Sequence, residues 1–175
     1  MTEILTVTLN PALDFATSVP RILANEKLYC APPRIDPGGG GVNVARAIGK
    51  LGGKATALVV TGGATGDRLL RLLSHETGVH ALPFPVSGET RFSFAVTDQE
   101  TGDQERFSLP GEALTATERT RLLTAISDAA SHEGLVVVSG GVAPGLPDDF
   151  PQRIQNAIRS KTHRVVVDTS RAPLR

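Results

Sequence analysis

Four consecutive glycines, Gly38 to Gly41, stand directly before a helical segment that opens with Val42-Asn43. Glycine has no Cβ, so its backbone can approach a ligand closely and can adopt dihedral angles that other residues avoid. The free N–H groups at the start of a helix favour a polar or anionic molecule, and Asn43 adds an amide with donors and an acceptor. The pattern predicts contact with a small polar ligand, and a tight turn without a ligand is the alternative.

The glycine run does not match the phosphate loops of two common nucleotide-binding classes. A dinucleotide-binding loop needs the spacing G-x-G-x-x-G, and its third glycine is replaced by Asn43 or Val44 in the two alignments that the run allows. A Walker A loop ending at Gly49-Lys50 needs a following Ser or Thr, where this chain has Leu51. The sequence therefore excludes both loops.

Other polar side chains stand where strands are expected to end or to cover a site. Asp14 follows the first strand and Ser139 ends a later one, and ligands of open parallel sheets bind outside such carboxyl ends. Asp14 would accept hydrogen bonds from sugar hydroxyls, or be an ordinary turn residue. Lys27, Arg91 and Arg106 fall on shorter strands and would hold a phosphate, or be solvated surface charges.

The elements that would position these residues follow from the apolar pattern. Continuous apolar runs at 3–9, 55–61, 134–139 and 164–168 predict buried strands, and helical patterns follow both glycine segments and cover 115–130 and 148–160. Such alternation indicates an α/β fold with a parallel sheet covered on both faces. Shorter alternating strands around 15–30 (at 15–19 and 27–30) and 90–109 predict a small antiparallel sheet outside the core, acting as a lid.

Composition excludes several functional classes. The 175 residues are 40% hydrophobic, with 18 basic and 18 acidic residues, so no net field would attract nucleic acid or an anionic membrane. The single cysteine, Cys30, allows no internal disulfide, and neither a signal peptide nor a membrane-spanning run is visible, which favours a cytoplasmic location. The four histidines lack metal-ligand spacing and Ser139 lacks the G-x-S-x-G context, so neither a metal site nor a serine hydrolase is expected.

The segment from Pro37 to Ile48 resembles the N-terminal signature of the pfkB (ribokinase-like) carbohydrate kinases. The resemblance extends in order along the whole chain, through the segments at 8–14, 26–28, 62–66, 106–107, 110–111, 139–140 and 144–145. Within the family, four glycines in a row are similar to the minor ATP-dependent 6-phosphofructokinases of bacteria. The segment Asn10-Pro11-Ala12-Leu13-Asp14 is also similar to 1-phosphofructokinases and tagatose-6-phosphate kinases.

The resemblance implies a Rossmann-like ribokinase fold with a β lid that also forms a homodimer. It implies ATP-dependent phosphorylation of fructose 6-phosphate to fructose 1,6-bisphosphate, with Mg²⁺. Asp14, Gly39 and Asn43 would hold sugar hydroxyls, and Lys27, Arg91 and Arg106 would lie near the sugar phosphate. The full set of substrate-binding residues that the resemblance implies is Asp14, Lys27, Gly38, Gly39, Gly40, Asn43, Arg91, Arg106 and Ser139.

The catalytic motifs of the family are not found among these residues. Its N-x-x-E motif is absent, because none of the four asparagines has Glu three residues later. Residues 64–67 look like its GAGD motif, but they coincide with the upstream glycine segment, so we expect Asp67 to be a first-turn helix residue. We therefore expect one incomplete domain over 1–175, without its C-terminal part and without catalytic residues of its own, that carries the sugar-binding half and is inactive alone.

Two further expectations follow. The strand at 165–167 would lack its usual neighbours and leave an exposed apolar edge. A function of another class also fits the residues, namely a non-catalytic module that binds a sugar phosphate. Saturable binding of fructose 6-phosphate without ATP is what that alternative predicts.

Overall fold

The computed structural model describes residues 3–160 and 164–169 and contains two β-sheets. One sheet has five strands and is called the core sheet. The other has four strands and is called the small sheet. In chain order the elements are β1 (Ile4–Thr8), β2 (Ala12–Val19), β3 (Arg34–Gly38), α1 (Gly40–Lys50), β4 (Ala55–Thr61), α2 (Gly63–Leu73), β5 (Val79–Pro85), β6 (Arg91–Asp98), β7 (Gln104–Ser108), α3 (Ala116–Ala129), β8 (Leu135–Ser139), α4 (Phe150–Ile158) and β9 (Val165–Asp168).

The core sheet has the order β5-β4-β1-β8-β9, and all its strand pairs are parallel. Helices cover both of its faces, as predicted. Val42 and Leu69 bring α1 and α2 to one face, and Leu122 and Ile154 bring α3 and α4 to the other. In such a parallel sheet a binding site can form at the carboxyl ends of the strands.

The small sheet has the order β3-β2-β6-β7. Its outer pairs are antiparallel, as predicted, but the central pair β2–β6 is parallel. The reason lies in the connections: β2 follows β1 after residues 9–11, and β6 follows β5 after residues 86–90. Since β1 and β5 run in the same direction, both small-sheet strands leave the same edge of the core sheet and continue together.

The strand predicted at 27–30 is absent, and the partner of β2 is β3 at 34–38 instead. Residues 20–33 form an irregular connection that contains a turn at 24–26 and the consecutive prolines Pro32 and Pro33, which lack donors for a strand ladder. Asn25 there has a positive φ of 63°. The first glycine of the run, Gly38, thus ends a strand of the small sheet.

Helix α3 begins with a capping box formed by Thr115 and Glu118. The Glu118 carboxylate accepts hydrogen bonds from the Thr115 N–H at 2.7 Å and the Ser87 N–H at 2.7 Å. These bonds, led by the Ser87 N–H, lower the pKa of Glu118 to about 2. Because Ser87 lies in the connection between β5 and β6, Glu118 ties that connection to the helix layer.

Two smaller expectations differ in detail from the structure. The strand β9 is at an edge, but it is not buried, since Val166 and Val167 are 49% and 42% exposed. Asp67 lies inside α2 but beyond its first turn, because the helix begins at Gly63. No helix among the described residues is both long and apolar enough to cross a membrane.

Candidate functional site

The glycine run joins the two sheets. Gly38 ends β3, Gly39 caps α1 with a φ of 117°, and Gly40 opens the first turn of the helix. A Cβ at Gly38 would overlap the Asp14 carboxylate, and a Cβ at Gly40 would overlap the Ser139 hydroxyl and the backbone that follows it. The glycines are therefore required by close packing whether or not a ligand is present, and they bring α1 against both sheets.

The carboxyl ends of three neighbouring core strands meet beside the glycine run. The Ser139 hydroxyl, 3% exposed at the end of β8, donates to Oδ2 of Asp168 at the end of β9 over 2.8 Å. Thr8 ends β1, and its buried Oγ1 has no hydrogen-bond partner among the described residues. Polar atoms thus gather at this edge of the core sheet, as expected of a parallel sheet.

Asp14 lies on the polar face of the small sheet. Its Oδ1 accepts a hydrogen bond from the Ser93 hydroxyl at 2.6 Å, and in the β2–β3 register it stands directly opposite Asp36. The carboxylate is half-buried and its other oxygen lies against Gly38. An ionised carboxylate has acceptor sites beyond one hydroxyl bond, so it can receive donors from a ligand.

Arg91 is fixed next to Asp14 by acceptors in the β1–β2 connection and on β7. Its Nε donates to Oδ1 of Asn10 at 3.1 Å, and its Nη1 donates to the Ser108 hydroxyl at 2.8 Å. Burial lowers the pKa of the Arg91 guanidinium, and the nearby Asp14 carboxylate opposes that shift. The arginine remains a cation, and its position is set before any anion arrives.

The remaining predicted residues are exposed. Asn43 lies on the first turn of α1, where its N–H donates to the Gly39 carbonyl at 2.9 Å and its side chain reaches solvent. Arg106 lies on β7 and donates to Gln104 at 2.7 Å. Lys27 lies in the irregular connection, with its Nζ 5.2 Å from the centre of the Tyr29 ring.

The structure brings most of the predicted set together, while the roles of its members stay predictions. The packed part consists of Asp14, Gly38, Gly39, Gly40 and Ser139, with Arg91 on the Asp14 side. Arg106 shares the polar face of the small sheet, because it pairs with Ala95 on the same side as Ser93. No contact in the described part of the chain links Lys27 to this group.

The sequence reasoning missed three side chains that support the candidate site. Ser93 holds the Asp14 carboxylate, Asp36 faces it, and Arg46 on α1 binds Asp36. The alternation of β6 could have indicated Ser93 as a residue of the polar face, since it lies between Phe92 and Phe94, which point to the opposite face. Asp36 and Arg46 gave no such signal, because they meet only once β3 is placed at 34–38.

The described residues do not fit a bound metal ion. Residues 3–160 and 164–169 contain no group of three His, Cys, Asp or Glu side chains that could hold a metal ion. Asp168, the carboxylate at the end of β9, accepts a hydrogen bond from Ser139. These residues therefore assign no chemical step to Mg²⁺.

Comparison with known proteins places this geometry in a family. A family model described as "pfkB family carbohydrate kinase" matches residues 7–175. The ATP-dependent 6-phosphofructokinase isozyme 2 of Mycobacterium tuberculosis is 44% identical over 168 residues, which cover 96% of this chain and 49% of that protein. A 1-phosphofructokinase of Xanthomonas campestris is 30% identical over 172 residues, covering 98% of this chain and 54% of that protein.

Solved structures agree in fold. The crystal structure of phosphofructokinase-2 from Escherichia coli in complex with fructose-6-phosphate has a TM-score of 0.91 and 40% identity, and it is matched over 99% of this chain and 57% of that chain. The chain spans about half the length of the curated relatives it matches. The matched half contains the glycine run and both sheets, and on these grounds the chain belongs to the pfkB family of carbohydrate kinases.

Proposed function

We propose that the whole protein transfers the γ-phosphoryl group of ATP to the 1-hydroxyl of fructose 6-phosphate, with Mg²⁺. The observation that carries this proposal is the packing of the Asp14 carboxylate against Gly38, one residue before the N-cap of α1. It places an acceptor for sugar hydroxyls beside free helix N–H groups. The name of the relative with 44% identity, a 6-phosphofructokinase, supports the same reaction.

In this proposal, one set of residues binds the hydroxyls of the sugar phosphate and another set binds its phosphate. Asp14, Gly39 and Asn43 bind the hydroxyls, and Ser139 lies near them at the end of β8. Arg91 and Arg106 approach the phosphate from the polar face of the small sheet, which serves as a lid, together with Lys27. A fixed guanidinium next to a carboxylate suits a ligand that carries both an anion and hydroxyls.

The acceptor sugar is the part of the proposal that needs the most direct test. The alternatives within the family are 1-phosphofructokinase and tagatose-6-phosphate kinase, and the first is supported by a relative at 30% identity. Coupled assays of the whole protein on fructose 6-phosphate, fructose 1-phosphate and tagatose 6-phosphate should give the highest kcat/KM with the first. A higher kcat/KM on either of the others would replace it.

We further propose that these 175 residues alone hold the sugar side of the site and transfer no phosphoryl group. Transfer needs an anion hole, a base and a metal, and the described residues offer no metal-ligand cluster. The purified 175-residue chain should bind fructose 6-phosphate in calorimetry and give no turnover with ATP. Ordinary turnover by this chain would overturn the proposal.

The same experiments distinguish the proposed kinase from a protein with a non-catalytic role. A sugar-phosphate-binding module would bind fructose 6-phosphate without ATP, would lose that binding in Asn43→Ala, and would give no turnover in any longer form of the protein. Turnover by the whole protein therefore excludes it.

We also propose a homodimer formed through the small sheet, in a reducing cytoplasm. The face opposite Asp14 is apolar: Phe92 and Phe107 are 41% and 47% exposed, and Phe94 stacks on Phe107 at 4.9 Å. A second copy would cover these rings. Sedimentation should show a dimer, and Phe107→Glu should shift the molecule toward monomer; an unchanged dimer would place the interface elsewhere.

A further inference from the structure

Arg46 ties three parts of the chain together beside the candidate site. It lies on α1 one turn after Asn43, with its side chain 18% exposed. Its Nε binds Oε1 of Glu76 at 2.6 Å, its Nη1 donates to the Pro37 carbonyl at 3.2 Å, and its Nη2 binds Oδ1 of Asp36 at 3.3 Å. The planar guanidinium carries donors in a fixed fork, so one side chain can hold these acceptors at set angles.

A cation next to the Asp36 carboxylate reduces its repulsion with a second carboxylate, that of Asp14. In the register of β2 and β3 it is directly opposite Asp14, on the same face of the small sheet. Like charges in opposed positions of neighbouring strands repel one another. Arg34 binds the other Asp36 oxygen at 2.7 Å but is 78% exposed, so Arg46 supplies the better shielded of the two cations.

The contact with the Pro37 carbonyl links Arg46 to the glycine run. Pro37 directly precedes Gly38, whose missing Cβ makes room for the Asp14 carboxylate. A shift of β3 away from α1 would therefore move both Gly38 and the strand that carries Asp14. Glu76 follows α2 and anchors the opposite side of the same guanidinium.

We infer that Arg46 is a positioning residue of the sugar-phosphate site: it holds β3 and Gly38 against α1 and neutralises Asp36, so that Asp14 faces the ligand without a competing charge. This inference rests on the proposed function. Arg46 touches no ligand in this account and acts through Asp36, Pro37 and the register of β2 with β3. The simpler alternative is an ion-pair cluster that adds only stability.

Two measurements on a small set of variants separate these alternatives. Calorimetric affinity for fructose 6-phosphate should fall about 10-fold or more in Arg46→Met and about 3-fold in Arg46→Lys, which keeps the charge but not the fork. In Arg46→Met, the second change Asp36→Asn should restore most of the loss, because it removes the charge that Arg46 neutralises. Arg153→Met breaks an exposed ion pair on α4 and should leave the affinity unchanged.

Hydrogen exchange tests the inference without any sugar. The amides of β3 at Arg34, Ile35, Asp36 and Gly38 should exchange about 10-fold faster in Arg46→Met, while those of β8 keep the wild-type rate. If the wild type binds no sugar phosphate, the proposed function fails, and the exchange of β3 still decides whether Arg46 holds that strand. Wild-type exchange in β3, or an affinity within 2-fold of wild type in Arg46→Met despite a lower melting temperature, would overturn the inference.

Discussion

The core sheet and the small sheet contribute to the candidate site in opposite ways. The core side is defined by the absence of side chains: Gly39 and Gly40 leave no room for a Cβ against Thr8 and Ser139 at the ends of two core strands. The small sheet contributes charged and polar side chains, chiefly Asp14 and Arg91, whose positions depend on cross-strand partners. One side of the site is therefore fixed by sterics and the other by hydrogen bonds and charge, so substitutions on the two sides should have different effects.

The largest effect is expected on the steric side. Gly40→Ala places a methyl group against the Ser139–Gly140 backbone, which cannot rotate away as a side chain could. We expect the free energy of unfolding to fall by about 1–3 kcal/mol, as in other overpacked sites. Urea unfolding measures it, with Gly141→Ala as the control, because a Cβ at Gly141 meets no atom within 4 Å. Equal stability of the two variants would show that the steric account is wrong.

The next effect concerns the charged side of the site. Asp14→Asn keeps an acceptor for the Ser93 hydroxyl but removes the charge. The free energy of unfolding should change little, whereas affinity for fructose 6-phosphate should fall about 10- to 100-fold, the value of a charged hydrogen bond. Calorimetry on Asp14→Asn and on the exposed Asp103→Asn checks this. A similar affinity in both variants would remove Asp14 from the site.

A third prediction concerns the connection between the sheets at 86–90. Glu118→Gln should lower the free energy of unfolding at pH 7 by about 1–2 kcal/mol, because an amide cannot accept all the bonds from Ser87 and Thr115. The folded pKa of Glu118, about 2, lies below its ordinary value of 4.5. The contribution of Glu118 is therefore complete above pH 4.5 and declines as the pH falls toward 2.

Urea unfolding of wild type and Glu118→Gln at pH 7 and pH 3 measures this contribution, with the exposed Glu133→Gln as a control. The difference between wild type and Glu118→Gln should be smaller at pH 3. A difference that is independent of pH would mean that the carboxylate charge does not hold the connection.

The smallest effect is expected at Arg106, which is exposed and donates only to Gln104. Arg106→Gln should leave the free energy of unfolding within about 0.5 kcal/mol of wild type. Its affinity for fructose 6-phosphate should fall only about 2- to 5-fold, as for an exposed ion pair. Because salt screens such a charge, the loss should shrink in titrations at about 0.5 M salt. Persistence of the loss at high salt would place Arg106 in a more buried contact.

The sequence predicted the core sheet well and the small sheet less well, for a physical reason. Four of the five core strands are apolar runs that the pattern alone indicates, whereas β5 (Val79–Pro85) was missed because His80, Pro83 and Pro85 interrupt its apolar pattern. The strand expected at 27–30 lies instead at 34–38, where Pro37 and Gly38 carry weak strand propensity and only the pairing with β2 makes them a strand. The strands β2 and β6 are parallel because both leave the same edge of the core sheet. No local sequence pattern indicates from which edge a strand leaves.

The candidate site shows the same division. Ser139 and the glycines could be chosen because a strand end and a glycine run are local signals. Asp14 was chosen as a residue that follows a strand, but it lies within β2. Arg46 and Asp36 could not be chosen from the sequence, because they meet only through the register of β3 and the start of α1. In the sequence, each resembles an ordinary surface charge.

One residue, Gly39, is the whole link between β3 and α1, and residues 9–11 are the whole link between β1 and β2. With links this short, the ends of β2 and β3 nearest the core sheet can shift little relative to it, and Leu13 and Ile35 also pack in the same apolar cluster as Val42 of α1. Asp14 and Gly38 therefore lie in the part of the small sheet that is tied most closely to the core sheet. Arg106 lies on β7, at the opposite edge of the small sheet from β3. A change in the backbone torsions of Gly39 would reorient β3 against α1 and would separate Gly38 from Asp14.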